Sequence, residues 1–373
     1  MNPYDPGVPA SPESFAGRQA LLATVEELLE KAIKWKRSSA LLLYGYRGSG
    51  KTSALRKIGE VVLKRSPRAL TAEIQPRAPL GDSALVGAIS EEVQQAARRA
   101  PGLPSKVRAT MKQISSISIM GTGVSVSGRR GERISNPMTV WRDTLEVLQA
   151  VPVIVVMIDD AEFLDTTGLG VLKTLAEMNS PVPIMLVVAG GLELLDRMSK
   201  HEYSPILRNF SGAMFDIGTL SSEETGEALA APLDTVGSAT KWTSEAVASV
   251  FQLTHGYPYL VQCLAQATFR EDVVLRPSDV QAAIPKALSI GASWMEREAS
   301  DASDEDIRVF VRIANLNQPQ FKAAEAVRAG VPTIYLGRLT KRGILRKVFR
   351  GKYELQKAPV IAYYHALKRG LTV

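Results

Sequence analysis

Gly45, Tyr46, Arg47, Gly48, Ser49, Gly50, Lys51 and Thr52 run consecutively and fit the pattern G-x-x-x-x-G-K-[ST], which cradles phosphate. Glycines let the backbone curl until successive N–H groups point at one anion. The helix expected to open there, with Ser53 in its first turn, adds the partial positive charge of its N-terminus. The Lys51 ammonium would then bridge the β- and γ-phosphates of a nucleotide, and the Thr52 hydroxyl would be offered to magnesium. Asp159, Asp160 and Glu162 form a second group, directly after the apolar run 153–158. A buried strand ending in carboxylate carries negative charge to the sheet edge where a metal belongs, so Asp159 is expected to hold magnesium through water. Asp160 or Glu162 would orient or deprotonate an attacking water. Spacing does not choose between them, and Asp160 has the alternative of capping the next helix. The chemistry implied is hydrolysis of ATP to ADP and phosphate, with ATP and Mg2+ as cofactors.

Such groups need a rigid frame, and the surrounding pattern supplies one. Residues 40–44 are short, apolar and followed by glycine, as in a strand buried on both faces of a parallel sheet. Apolar runs at 69–74, 153–158 and 184–189, with a weaker one at 212–217, alternate with helical patterns at 18–34, 52–65, 83–99, 138–149 and 168–179. That alternation predicts an α/β fold, a parallel sheet covered by helices, with ligand at the carboxyl ends of the strands. The expected core spans 1–219. An inserted hairpin is expected near 114–127, where Ile117, Ile119, Val124 and Val126 alternate with polar residues and Arg129 and Arg130 follow.

From Leu220 the pattern is purely helical, and Ser221 and Glu224 have capping-box spacing. Four helices to about residue 287, then a linker through Trp294, make an all-helical segment at 220–300. After an acidic, flexible-looking stretch at 301–306, helical patterns at 307–314, 323–329 and 334–342 precede two short extended runs turning near Gly351. This predicts a winged helix-turn-helix at 301–373.

Charge is unevenly placed. The formal net charge is +7, yet residues 304–373 hold 14 Lys and Arg against 5 Asp and Glu, so the remaining chain is slightly acidic. Lys341, Arg342, Arg346, Lys347, Arg350 and Lys352 gather at the expected recognition-helix end and wing. That asymmetry points to an acidic partner, duplex DNA first, with a solvated basic face as the alternative.

Other classes find no support. No apolar run approaches the roughly 20 residues that span a bilayer, and the polar, proline-containing start lacks the charged head and apolar stretch of a signal peptide. A cytoplasmic protein without membrane contact is expected. A single cysteine, Cys263, excludes an internal disulfide, and its apolar neighbours predict a buried side chain. His201, His255 and His365 lack metal-ligand spacing.

With both motifs in place, the chain resembles ATPases of the origin-recognition and archaeal-ATPase branch, which border AAA+ proteins and STAND signalling NTPases. Phe15-Ala-Gly17-Arg18 is similar to the entry motif that in those families borders the adenine pocket. Gly256-Tyr257-Pro258 resembles the turn of their helical lid, also near the nucleotide. The stretch from Ser204 to Phe210 resembles the one that carries an arginine ahead of the lid, which makes Arg208 the arginine-finger candidate. The resemblance thus implies a P-loop NTPase sheet, an all-helical lid and a C-terminal winged helix. The chain departs from that pattern where Val187-Val-Ala-Gly-Gly191 ends without a polar side chain, and no second lid arginine is evident. Slow hydrolysis is the consequence expected.

Two functions follow. In one, ATP closes the lid and the basic winged helix docks on duplex DNA. In the other, a STAND-type regulator, the winged helix packs on the core, holds ADP and controls a protein partner. Whether the chain forms a homo-oligomer is left open by its sequence.

Overall fold

The computed structural model describes residues 1–100, 103–105, 107–111, 136–200 and 203–371. The hairpin expected at 114–127, with Arg129 and Arg130, lies outside the described residues, as does His201. The chain divides into two compact units, Arg18–Ile217 on one side and Met1–Gly17 with Gly218–Val373 on the other.

In the unit Arg18–Ile217, five parallel strands form one sheet. They are β1 (Ser39–Tyr44), β2 (Leu70–Ile74), β3 (Ile154–Ile158), β4 (Ile184–Gly190) and β5 (Met214–Asp216), in the order β2-β3-β4-β1-β5. Every residue of β3 and β4 is buried, which is why both read as unbroken apolar runs rather than alternating ones. Covering helices are α1 (Gln19–Trp35), α2 (Lys51–Arg65), α3 (Asp82–Arg99), α4 (Pro137–Val147) and α5 (Thr166–Glu177). Two helices absent from the sequence reading follow β4, namely α6 (Leu192–Ser199) and α7 (Ser204–Arg208). They are too short to show a period, and α7 is a single turn with proline in its first positions.

Register decides what meets at the carboxyl edge. Ile74 pairs with Ile158, and Ile158 with Val188. Tyr44 pairs with Gly190. Gln75 and Asp159 therefore leave the sheet level with Ala189, and Gly45 leaves it level with Gly191, two residues further along β4.

The second unit corrects the expected core boundary at its start. Tyr4 is buried, its hydroxyl donates to the Leu229 carbonyl at 2.5 Å and accepts from Trp242 Nε1 at 2.9 Å. Its ring meets Trp242 and Phe269 edge-on. The N-terminal segment thus packs on the helical region, because an aromatic with a polar tip finds both an apolar slot and two partners there. The helices are α8 (Ser222–Thr235), α9 (Ser244–Thr254), α10 (Pro258–Thr268) and α11 (Pro277–Met295). A two-stranded pair, β6 (Lys241–Trp242) with β7 (Val274–Leu275), joins their ends. The Ser221–Glu224 capping box forms in both directions.

Two further expectations change here. The linker through Trp294 is helix, since α11 runs on to Met295 and Trp294 packs its ring against Tyr257 and Tyr259. The acidic stretch at 301–306 is fixed in place: Ser303 caps α12 (Asp304–Ala314), and Asp306 is fully buried. Beyond it come β8 (Gln320–Lys322), α13 (Ala323–Arg328), α14 (Thr333–Lys341), β9 (Leu345–Phe349), β10 (Lys352–Leu355) and α15 (Pro359–Lys368). The wing is three-stranded, in the order β8-β10-β9, and a closing helix is added to the expected winged helix. Leu260, Leu288 and Met295 share one apolar core with Phe310, Phe321, Leu339 and Ile361. The helical region and the winged helix are thus fastened by common burial.

Candidate nucleotide site and basic wing

The loop between β1 and α2 is shaped by close approach. A Cβ on Gly45 would stand 2.6 Å from the Ile217 carbonyl oxygen, so only glycine fits beside β5. Gly48 and Gly50 have φ of 81° and 95°, and Gly50 is the cap position of α2, so the first N–H groups of that helix have no carbonyl one turn earlier within the helix to accept them. Ser49 Oγ is buried and has no hydrogen-bond partner among the described residues. Lys51 Nζ lies over the loop, donating to the Gly45 and Tyr46 carbonyls at 2.9 and 3.0 Å. Burial pulls its pKa down, opposed by the carboxylates of Glu162, Asp159 and Asp160.

Thr52 Oγ1 donates to Asp159 Oδ2 at 2.6 Å. This joins the two motifs that the sequence separates by more than a hundred residues. Asp159 is 2% exposed, and burial raises its pKa against the lowering effect of the Thr52 hydrogen bond. Asp159 Oδ1 accepts the Asp160 N–H at 3.0 Å. Asp160 occupies the cap position of the short turn Ala161–Phe163 with φ 45°, but its side chain makes no cap bond. It accepts from Gln75 Nε2 at 3.2 Å instead. Glu162 Oε2 accepts the Gly191 N–H at 3.1 Å. Arg197 then clamps the same loop, donating to the carbonyls of Glu162 and Leu164 at 3.0 and 2.8 Å.

A phosphate chain with a divalent ion fits these donors. Glycines allow close backbone approach, a buried hydroxyl lacks a partner, an ammonium is at hand, and a hydroxyl–carboxylate pair suits a hard cation. Sequence reasoning missed Gln75 and Arg197. A polar residue ending the strand beside the acidic one was a usable signal for Gln75; Arg197, on an unforeseen helix, offered none.

The remaining candidates separate between the two units. Arg18 starts the sheet unit at the cap position of α1, its carbonyl accepting the Leu22 N–H. Phe15 and Gly17 belong with the helical region, where the Gly17 N–H donates to Glu227 at 2.9 Å. In the turn 256–258, the Gly256 carbonyl accepts the Leu220 N–H at 2.8 Å, and a Cβ on Gly256 would lie 2.0 Å from the Leu220 oxygen. The Tyr257 ring lies 4.9 Å from that of Trp294, tilted by 45°, and Pro258 opens α10. Arg208 ends α7 with an exposed side chain.

The six basic residues proposed for nucleic acid are not alike. Arg342 pairs with Asp301 and Asp306 and is largely covered. Arg346 pairs with Glu354 across β9 and β10. Lys341, Lys347 and Arg350 are exposed and make no ion pair among the described residues, and Lys352 lies 5.4 Å over the Phe349 ring. The candidate contact set on the wing is therefore narrower than its charge count.

Residues 14–188 match the family model described as AAA ATPase domain. Residues 311–356 match one described as transcriptional regulator, AbiEi antitoxin. Among solved structures, the chain is similar to the Walker-type ATPase of Pyrococcus abyssi (15% identity, TM-score 0.53, covering 97% of this chain and 99% of that one). It is similar to the Orc2 protein of Aeropyrum pernix in ADPNP–ADP complexes (15%, 0.52, 95% and 94%). It is also similar to Cdc6p from Pyrobaculum aerophilum (12%, 0.50, 98% and 96%). At these identities the likeness is one of fold. No curated protein matches the chain. Among the described residues no helix is long and apolar enough to cross a membrane.

Proposed function

We propose that this chain, a P-loop protein of the AAA ATPase type with the fold of archaeal Orc and Cdc6 proteins and a C-terminal winged helix, is a slowly hydrolysing, nucleotide-switched ATPase that binds duplex DNA. The observation that carries the nucleotide half is the Thr52–Asp159 hydrogen bond at 2.6 Å, beside a glycine loop with Lys51 folded over it. Bound magnesium supplies charge neutralisation on the phosphate oxygens. Thr52 would hold that ion directly, Asp159 would hold it through water, and the N–H groups from Gly45 to Ser53 would orient the phosphates. Asp160, steered by Gln75, is the residue assigned to positioning water. The chain offers no polar side chain at the end of β4, where Gly191 gives its N–H to Glu162, and this favours slow turnover.

The DNA half rests on Lys341, Lys347 and Arg350, exposed and without ion pairs, in the segment that matches a transcriptional-regulator model. Because the helical region and winged helix share one core, a nucleotide-driven movement of one carries the other. The same shared core favours the second reading, a STAND-type regulator whose winged helix governs a protein partner. Measuring ATPase rate with and without duplex DNA at two salt concentrations separates them. Stimulation that fades with salt supports DNA. A rate indifferent to DNA at both salts removes it.

A further inference from the structure

The tip of the wing carries an aromatic side chain that the fold does not use. Phe349 ends β9 and is 60% exposed, with Val348 beside it 41% exposed. Arg350 and Gly351 make the turn, with Gly351 at φ 76°, and Phe349 faces Lys352 across the hairpin. Lys352 Nζ lies 5.4 Å from the ring centroid, over one face. From Arg346 to Tyr353 the sequence contains no carboxylate. The next one, Glu354, is turned to Arg346, Gln320 and Gln356. The tip is therefore an exposed ring inside a cationic rim formed by Lys347, Arg350 and Lys352.

That combination suits an anionic polymer that also offers flat apolar faces. A protein surface rich in carboxylate would answer the charges but leave the ring in water. Inside an intact duplex the bases are stacked and present only their edges to the grooves. Base faces are open where pairing stops, and there an aromatic side chain can stack while flanking cations meet the phosphates. We infer that the wing tip recognises the junction between duplex and unpaired DNA, with Phe349 stacking on the first unpaired base. This deepens the proposed DNA binding and rests on it.

The test uses the full chain and two labelled DNAs of equal duplex length. One is closed at both ends by non-nucleotide linkers, so that every base is paired, and the other ends in a short unpaired fork. Binding is followed by fluorescence anisotropy across a salt series. Stacking on one base is expected to favour the fork by about tenfold. Phe349→Ala should abolish that preference while leaving affinity for the closed duplex and its salt slope as in the parent, since stacking releases no counterion. Phe349→Leu keeps apolar bulk and should lose the preference equally, whereas Phe349→Trp should keep it. Parent binding to closed duplex without fork preference overturns the inference alone. So does a preference that survives in Phe349→Ala and Phe349→Leu, or a loss shared equally by both DNAs, which would mark a wedge between paired bases. A parent that binds neither DNA overturns both this inference and the DNA-binding function.

Discussion

Glu162 accepts the backbone N–H of Gly191 at 3.1 Å and so ties the loop after β3 to the end of β4. Arg197 reinforces the tie from α6. A carboxylate spent on a backbone donor is a poor acceptor for a water proton, while Asp160, held by a side-chain amide, stays next to Asp159. Glu162→Gln retains an oxygen for Gly191 and should leave turnover near the parent. Asp160→Asn should lower turnover by about a hundredfold with ATP still bound. Steady-state ATPase and calorimetry on both variants check this, and the opposite ranking would hand the water to Glu162.

Lys51 lies over the loop, bonded to its carbonyls, and its pKa is lowered by burial. Lys51→Ala should therefore remove tight ATP binding rather than turnover alone. Undiminished affinity in titration calorimetry would contradict the assignment of this loop.

Asp159 makes a pH prediction whose sign follows from its raised pKa. A carboxyl that binds its proton more tightly folded than unfolded contributes stability at acid pH. That contribution is lost as pH rises from the ordinary carboxylate range through the elevated value. Without nucleotide, Asp159→Asn should consequently melt higher than the parent at neutral pH, with the gap closing in mild acid. It should also gain less from Mg-ATP than the parent gains. Thermal melts at two pH values, with and without Mg-ATP, would show a parent above the variant throughout if this is wrong.

Much of this was legible because the sheet is buried on both faces. Strands β1, β3 and β4 read as apolar runs bounded by glycine or aspartate, and their chain order placed the two motifs on one edge. The Thr52–Asp159 bond was implied by motif type, although its existence depends on a register that no local pattern contains. The Glu162–Gly191 and Gln75–Asp160 bonds were hidden for that reason, since each joins neighbouring strand ends. Asp306 misled most. Three acidic residues in four look solvated, yet Asp306 is buried because Arg338 and Arg342, more than thirty residues onward, return to it. Composition registers charge, not its partner.

Asp306 accepts from the Ser303 N–H and hydroxyl at 2.9 and 2.8 Å and faces Arg338 and Arg342 at 2.8 and 3.1 Å. Burial would raise its pKa, but Ser303 and the two guanidinium groups hold it below the usual carboxylate range. Asp306→Ala should destabilise the second unit by about 2 kcal/mol, below the full cost of a buried pair because Arg338 is half-exposed and can regain water. It should also loosen α14, since both arginines sit there or at its end. Chemical denaturation would report the loss, and a variant as stable as the parent would show that the arginines need no anchor.

Glu354 sets how many positive charges the wing can offer. Its carboxylate holds Arg346, while Lys347 and Arg350 are exposed without such a partner. If duplex DNA is bound, each phosphate contact contributes about −0.9 to the slope of log affinity against log salt. Lys347→Ala with Arg350→Ala should flatten the slope by about two units, and Arg346→Ala alone should change it by less than one. Glu354→Gln should act in the other direction, releasing Arg346 to steepen the slope by about one unit. ATP binding at the loop should survive in all of these variants. Under the regulator reading, DNA affinity is weak in the parent and insensitive to every change, while bound ADP exchanges faster in the double variant. An arginine that flattens the slope as strongly as Lys347 and Arg350 together would mean that the Arg346–Glu354 pair opens on DNA, and that charge count rather than exposure governs the wing.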